Sequence, residues 1–381
     1  MTDGPVRVSV DVSAVPVRPA GAGTYVVELV RALQAEPEES LCLDLVARRG
    51  DKMRWESWAG SGRVHAIAPG SRPLRVAWEQ LALGRELTSL TGLGVHHGPH
   101  YTMPRGARVP CVVTIHDLTF FDHPEWHERS KVPFFRSAMR HAARHAAALI
   151  CVSEPTAARC REVLEPRCPV HVVELGIDHL RFRPDEDGPG ADDAILGRLG
   201  VGPPYVLHVG TIEPRKDVPR LIAAFDSLAG DRSDLSLVVA GQPGWGYSAF
   251  REAVASARHR DRIVELGYVA GADIPALMRR AGAVSYASLE EGFGLPVLEA
   301  LACGAPVVTT EGSVMAALAD GAALLAPRHG IEGLAEAITT ALDGGAQIRT
   351  LREAGLIRAA SMTWGRTAAL HAALYRELAG R

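Results

Sequence analysis

Short apolar runs rich in β-branched residues alternate with longer stretches of helical period along this chain, and that alternation admits few folds. It is the pattern of parallel strands joined by crossover helices. VRVSVDV (6–12), LCLDLVA (41–47), PCVVTI (110–115), ALICVS (148–153) and VHVVEL (170–175) read as strands, with helices over 23–35, 76–90, 130–146 and 155–165. The segment RFRPDEDGPGADDAILGRLGVGPP (181–204) then interrupts the rhythm with Pro, Gly and Asp, as a linker between domains does. The rhythm restarts in YVLHVG, LSLVVAG, RIVELGYV, AVSYAS and APVVTT. Two α/β units in tandem are expected, and a length of 381 residues, more than one core usually supports, agrees.

Composition excludes several function classes. A net charge of -3 offers no basic footprint for nucleic acid. No stretch approaches the roughly 18 unbroken apolar residues of a membrane span. The six cysteines (42, 111, 151, 160, 168, 303) include no Cys-x-x-Cys pair and fall mostly in apolar strands, which fits reduced thiols. The start, MTDGPVRVSVDV, has no export signal pattern, so a cytoplasmic protein is expected.

Open parallel sheets bind ligands beyond the carboxyl ends of their strands. After the strand AVSYAS comes LEEGFGLPVLEALACGAPVV, in which Pro296 suits a first helical turn and Gly304 a helix end. Gly292 and Gly294 let backbone amides approach an anion at the new helix N-terminus, near Phe293 and Leu295. Glu291 in the loop and Glu299 on the first helical turn cannot hold phosphate, so they are expected to face sugar hydroxyls, which donate hydrogen bonds. Acids near a helix N-terminus also serve as plain dipole partners, but E-G-x-G-x-P-x-x-E arises by chance at only roughly 10⁻⁶ per start.

GTIEPRKD ends another strand, with Arg215 and Lys216 placed to stabilise charge on a departing diphosphate and Asp217 placed to cap a helix. Thr211 lies in the same loop. GAGTYVVEL (21–29) opens a helix after the first strand but has Val26 where a dinucleotide fingerprint has its third glycine. TIHDL leaves His116 and Asp117 at a strand end, while His96, His97 and His100 lack metal-ligand spacing and read as a polar loop. Asp185-Glu186-Asp187 reads as solvated linker charge, so no metal is expected. Arg136, Arg140 and Arg144 recur every four residues beside Phe134 and Phe135. Weak peripheral contact with an anionic membrane at its inner face and an ordinary amphipathic surface helix both fit that stripe.

EGFGLPVLEALACGAPVV resembles the E-x7-E signature of the retaining glycosyltransferases of family four, and the similarity continues through GAGTYVVELVRAL, HHGPHYTMPRG, VTIHDLTFFDHPEWH, VGTIEPRKD, LGYVAGADIPALMRRA and WGRTAALHAALY. The resemblance implies a GT-B fold, two Rossmann-like α/β/α domains with an interdomain cleft. It divides the chain into an acceptor-side domain (1–182), a linker (183–203), a nucleotide-sugar domain (204–362) and a C-terminal helix (363–381) packing back on the first domain. It also implies a metal-independent transfer with no cofactor, in which the acceptor attacks from the face the diphosphate leaves and a donor phosphate oxygen takes the proton. Glu291 would contact the donor hexose, Glu299 the ribose, His116 the transferred sugar and Gly23 the diphosphate, with Thr24 where arginine is frequent. The base would sit by Tyr268 and Val269. Gly244-Trp245 favours GDP-mannose as donor; the acceptor, whether sugar, lipid-linked or small molecule, is open. A sugar-nucleotide epimerase of the same fold, or a nucleotide-sugar-binding protein without turnover, are the alternatives. Ala316-Ala317, where relatives carry Pro-Glu, motivates the second.

Overall fold

The computed structural model describes residues 4–36, 40–60, 62–185, 187–188 and 190–380. The chain divides into two compact units, one made of residues 1–176 and 364–381, the other of residues 177–363. Each is a parallel sheet with helical crossovers.

In the first unit the strands are β1 (Val6–Asp11), β2 (Leu41–Arg48), β3 (Val64–Ala68), β4 (Leu93–Gly98), β5 (Cys111–Ile115), β6 (Ala148–Cys151) and β7 (Val170–Val172). They lie in the order β3-β2-β1-β4-β5-β6-β7, all parallel. The second unit has β8 (Tyr205–Val209), β9 (Ser236–Ala240), β10 (Ile263–Gly267), β11 (Ala283–Tyr286), β12 (Val307–Thr310) and β13 (Leu324–Ala326). Their order is β10-β9-β8-β11-β12-β13, again parallel. The central strands are buried on both faces, which is why they read as unbroken apolar runs. In both sheets the order reverses once, between β1 and β4 and between β8 and β11, and each reversal opens a crevice at the strand ends.

Several expectations need correction. The expected helix 76–90 is two helices, Arg72–Leu81 and Leu83–Ser89. Inside the expected linker, residues Ala191–Leu199 form a helix whose Asp192 pairs with Arg279 at 2.6 Å. Gly190 and Gly200, both in the left-handed region, bound that helix, so glycines that suggested a break are its two ends. Glu186 of the acidic triplet lies outside the described residues. His96 and His97 are not in a polar loop: they sit on β4, fully buried.

That burial is possible because His96 Nδ1 meets the Ser9 hydroxyl at 2.8 Å and His97 joins a longer series of hydrogen bonds. The C-terminal helix Trp364–Ala379 packs on the helix Ala22–Gln34 and on β4. His371 Nδ1 lies 2.8 Å from the Thr367 carbonyl, which can only accept, so Nδ1 carries the proton and Nε2 accepts. Tyr25 therefore donates to His371 Nε2 at 3.0 Å and accepts from Thr114 at 2.9 Å. Thr114 in turn accepts from His97 Nε2 at 2.8 Å, leaving His97 Nδ1 to accept from Tyr375 at 2.7 Å. Every donor in this buried series points the same way, and burial keeps His371 neutral, down to about 4, and His97 well below its usual range.

Among the described residues no helix is long and apolar enough to cross a membrane. The basic stripe is less basic than its spacing suggests. Arg136 turns inward, donating to the carbonyls of Phe120 (2.7 Å) and Phe121 (3.3 Å), and Phe135 is core.

Candidate active site

The site residues of the second unit gather where its strand order reverses. The loop after β8 carries Thr211, Arg215 and Lys216; the loop after the neighbouring β11 carries Glu291 through Leu295. A backbone bond from Leu289 N to Arg215 O, 2.8 Å, ties the two loops together. A third loop, following β9, buttresses the first: Ile212 N bonds Gln242 O at 3.0 Å and Gly244 N bonds Ile212 O at 3.1 Å. Glycine is required for this approach, because a Cβ on Gly241 would lie 1.8 Å from the Gly210 carbonyl oxygen.

Pro214–Lys216 forms a tight turn that sends both cations toward β11. Arg215 and Lys216 both donate to the Glu291 carboxylate, and Arg215 also pairs with Glu213 at 3.1 Å. Lys216 donates to the Tyr286 hydroxyl, which donates to Glu291 at 3.2 Å. Lys216 and Glu291 are only 7% and 9% exposed, so these charges interact with little water between them. Burial would raise the Glu291 carboxyl, but the charges of Arg215 and Lys216 outweigh it and hold it at about 2. Burial, opposed by Glu291 and reinforced by Arg215, lowers the Lys216 ammonium to about 8. Glu291 thus faces cations here, rather than only neutral hydroxyl groups as the sequence argument had it.

Gly294 caps the helix Leu295–Ala302 with φ 101°, and a Cβ there would meet Met315 at 2.8 Å. The amides of Val297 and Leu298 already bond to the Gly294 carbonyl. The earlier first-turn amide of Leu295 has no intrahelical acceptor available to it, and this is the feature that receives anions. Glu299 stands on the second helical turn rather than the first. Asp217 occupies the residue before the next helix, but its carboxylate faces Arg220 at 2.7 Å and caps nothing. Val269 is buried and Tyr268 is 44% exposed just beyond β10, two strands from β8.

Gly23 and His116 belong to the first unit. Gly23 lies in the first turn of its helix, with Pro16 and Pro19 each 3.4 Å from the position of a Cβ. His116 follows β5, and its Nε2 lies 2.8 Å from the Pro99 carbonyl. A carbonyl only accepts, so Nε2 holds the proton and Nδ1 is left as an acceptor. Burial lowers the ring further, despite the Pro99 bond and the nearby Asp117. Tyr25 meets it edge-on with ring centroids 5.0 Å apart. Sequence reasoning missed Tyr286 and His208, both 1% exposed. The available signal was a polar residue in each of two central strands, YVLHV and AVSY. Among the described residues no three His, Cys, Asp or Glu side chains are grouped to hold a metal ion.

Comparison with known proteins agrees with this layout. Residues 19–181 match the family described as Glycosyltransferase Family 4. Residues 197–356 match that described as Glycosyl transferases group 1. The chain is 28% identical over 359 residues to the O-antigen chain mannosyltransferase B of Escherichia coli, covering 90% of this chain and 92% of that one. The sucrose-phosphate synthase of Thermosynechococcus elongatus superposes with a TM-score of 0.78 at 19% identity, covering 98% of this chain and 99% of that one. Anabaena HepE, solved with UDP and glucose, gives 0.75 at 20% identity over 98% of this chain and all of that one. Matched in both of its units, the chain belongs to the family four glycosyltransferases and has their GT-B fold.

Proposed function

We propose that the protein is a retaining, metal-independent hexosyltransferase that moves mannose from GDP-mannose to an acceptor hydroxyl of a sugar, a lipid-linked glycan or a small molecule. The observation that carries this reading is the Arg215–Lys216–Glu291 cluster at the strand-order reversal of the second unit. Two cations fixed by short loops stabilise charge that builds on a leaving diphosphate, more in the transition state than before it. The amides of Gly294 and Leu295 supply neutral donors beside them. Glu291 and Glu299 accept from hexose and ribose hydroxyls, His116 Nδ1 accepts from the transferred sugar, Gly23 lies nearest the diphosphate, and Tyr268 and Val269 border the base. No side chain needs to act as nucleophile. The relative's name supports mannose, and the UDP held by HepE supports a nucleoside-diphosphate donor.

The test is a thermal-shift panel of sugar nucleotides followed by turnover of the one that stabilises most. A ligand at 100 times its dissociation constant adds about 2.7 kcal/mol of stability. Lys216→Ala should lower kcat by about 10² to 10³. A loss below tenfold, or a panel in which no sugar nucleotide stabilises the protein, overturns the reading.

A further inference from the structure

Beneath the two cations lies a polar layer that the proposed reaction does not use directly. Tyr286 is the last residue of β11, 1% exposed, on a strand paired on both sides. Its backbone is fixed, with the carbonyl accepting from Thr309 at 3.0 Å. Its hydroxyl works in both directions, accepting from the Lys216 ammonium and donating to Glu291 at 3.2 Å. The ring adds a second contact, since Lys216 Nζ sits 4.4 Å from its centroid and a cation so placed is attracted to the ring face. Behind it His208 lies parallel, 5.8 Å away and inclined by 10°. His208 donates from Nδ1 to the Ser285 carbonyl at 3.3 Å, and its Nε2 has no hydrogen-bond partner among the described residues.

A tyrosine that only filled space here would not need both of its hydroxyl functions met by charged groups. Lysine on a flexible four-carbon stem has many orientations to lose, and a turn such as Pro214–Lys216 fixes its backbone without fixing its ammonium. Resting on the transferase reading, we infer that Tyr286 is a positioning residue that holds the Lys216 ammonium where the charge of the departing diphosphate develops. It need touch neither donor nor acceptor. The charged and titratable groups that surround Lys216 and Tyr286 are Arg215, Glu213, Glu291, Glu299 and His208. Tyr286 joins Lys216 and Glu291 through an uncharged group, so its hydroxyl can be removed without changing the formal charge of the cluster.

The test is Tyr286→Phe, which keeps the ring and its packing. Turnover should fall about 10- to 100-fold with KM for the donor little changed, as expected when a reacting charge is displaced rather than deleted. A purely structural role would not move the pH dependence, so that is the deciding readout. Without the hydroxyl, one buried N–H of the ammonium loses its acceptor, and the charged form of Lys216 is disfavoured. The alkaline limit of inorganic pyrophosphate binding, followed by calorimetry between pH 6 and 10, should therefore move down by about one pH unit. Coincident wild-type and Tyr286→Phe profiles overturn the inference, as does a wild-type protein that binds no pyrophosphate. A shifted profile in a protein that turns over no sugar nucleotide keeps the placement of Lys216 by Tyr286 and removes the transferase reading instead.

Discussion

The two units have the same strand logic, and both bury acids, but the hydrogen-bonded networks at their centres differ in charge. In the first, Tyr375, His97, Thr114, Tyr25 and His371 pass neutral hydrogen bonds in one direction. In the second, Arg215, Lys216 and Glu291 are charged and Tyr286 links the last two, while His208 Nε2 and the Ser285 and Ser288 hydroxyls find no hydrogen-bond partner among the described residues. A neutral network with each donor matched stabilises one packing and is complete in itself. A charged cluster with unmatched neighbours is poised for a further ion. Polarity alone in a Rossmann-like interior therefore does not distinguish the two networks; charge does.

The largest effect that could break this contrast comes from Glu291. Its carboxylate holds the two cations that a diphosphate would claim, so on the proposed reading it would compete with that ligand. Glu291→Gln should lower turnover by about 10² or more. At pH 6, chosen so that Lys216 keeps its proton, the same change should tighten nucleoside diphosphate about tenfold, an ordinary size for the loss of one partly buried opposing charge. Weaker binding by isothermal calorimetry would show that Glu291 organises the cations for phosphate rather than competing with it.

Next in size is the dependence of stability on pH. The folded Lys216 ammonium titrates near about 8 against 10.5 for an ordinary lysine. Between those values the unfolded chain binds more protons, so stability rises with pH across that window, by on the order of 3 kcal/mol. Glu291 works at the other end: its folded value of about 2 lies below the ordinary 4.5, so its contribution is present above pH 4.5 and is lost as pH falls toward 2. Near neutrality the two contributions oppose each other, as is common for buried ion pairs. Urea denaturation of Lys216→Met beside the wild type should show the alkaline rise in the wild type only. Equal slopes for both would place the lysine in water.

The contrast was only half legible in the sequence. Glu291, Glu299, Arg215 and Lys216 announce themselves because each follows an apolar run and stands by Gly or Pro. That Glu291 meets the two cations did not, since it lies 76 and 75 residues from them and their meeting depends on β8 lying beside β11. Strand order is a tertiary property with no local signal. Strands β3 and β4 were missed for a related reason: VHAIA and LGVHHG carry histidines and glycines that dilute an apolar run. His97 is tolerated in the core because Thr114 and Tyr375 satisfy its two ring nitrogens, and the C-terminal helix that brings Tyr375 comes 278 residues later.

The smallest effect tests the neutral side of the contrast. Tyr375 ends the series in the first unit, donating its proton to His97 Nδ1 at 2.7 Å. Tyr375→Phe keeps the ring against His97 and His371 and removes that single donor. One buried acceptor is left without a partner, which should cost about 1 to 3 kcal/mol of unfolding free energy. Because burial holds His97 far below its usual range and Tyr375 well above its own, neither group changes charge near neutrality. The loss should accordingly be the same at pH 6, 7.5 and 9, while the difference between wild type and Lys216→Met grows more favourable to the wild type above pH 8. A Tyr375→Phe deficit that shrinks on acidification would mean that His97 gains a proton once Nδ1 is released. That network would then hold latent charge as well, and the contrast between a neutral network and a charged one would fail.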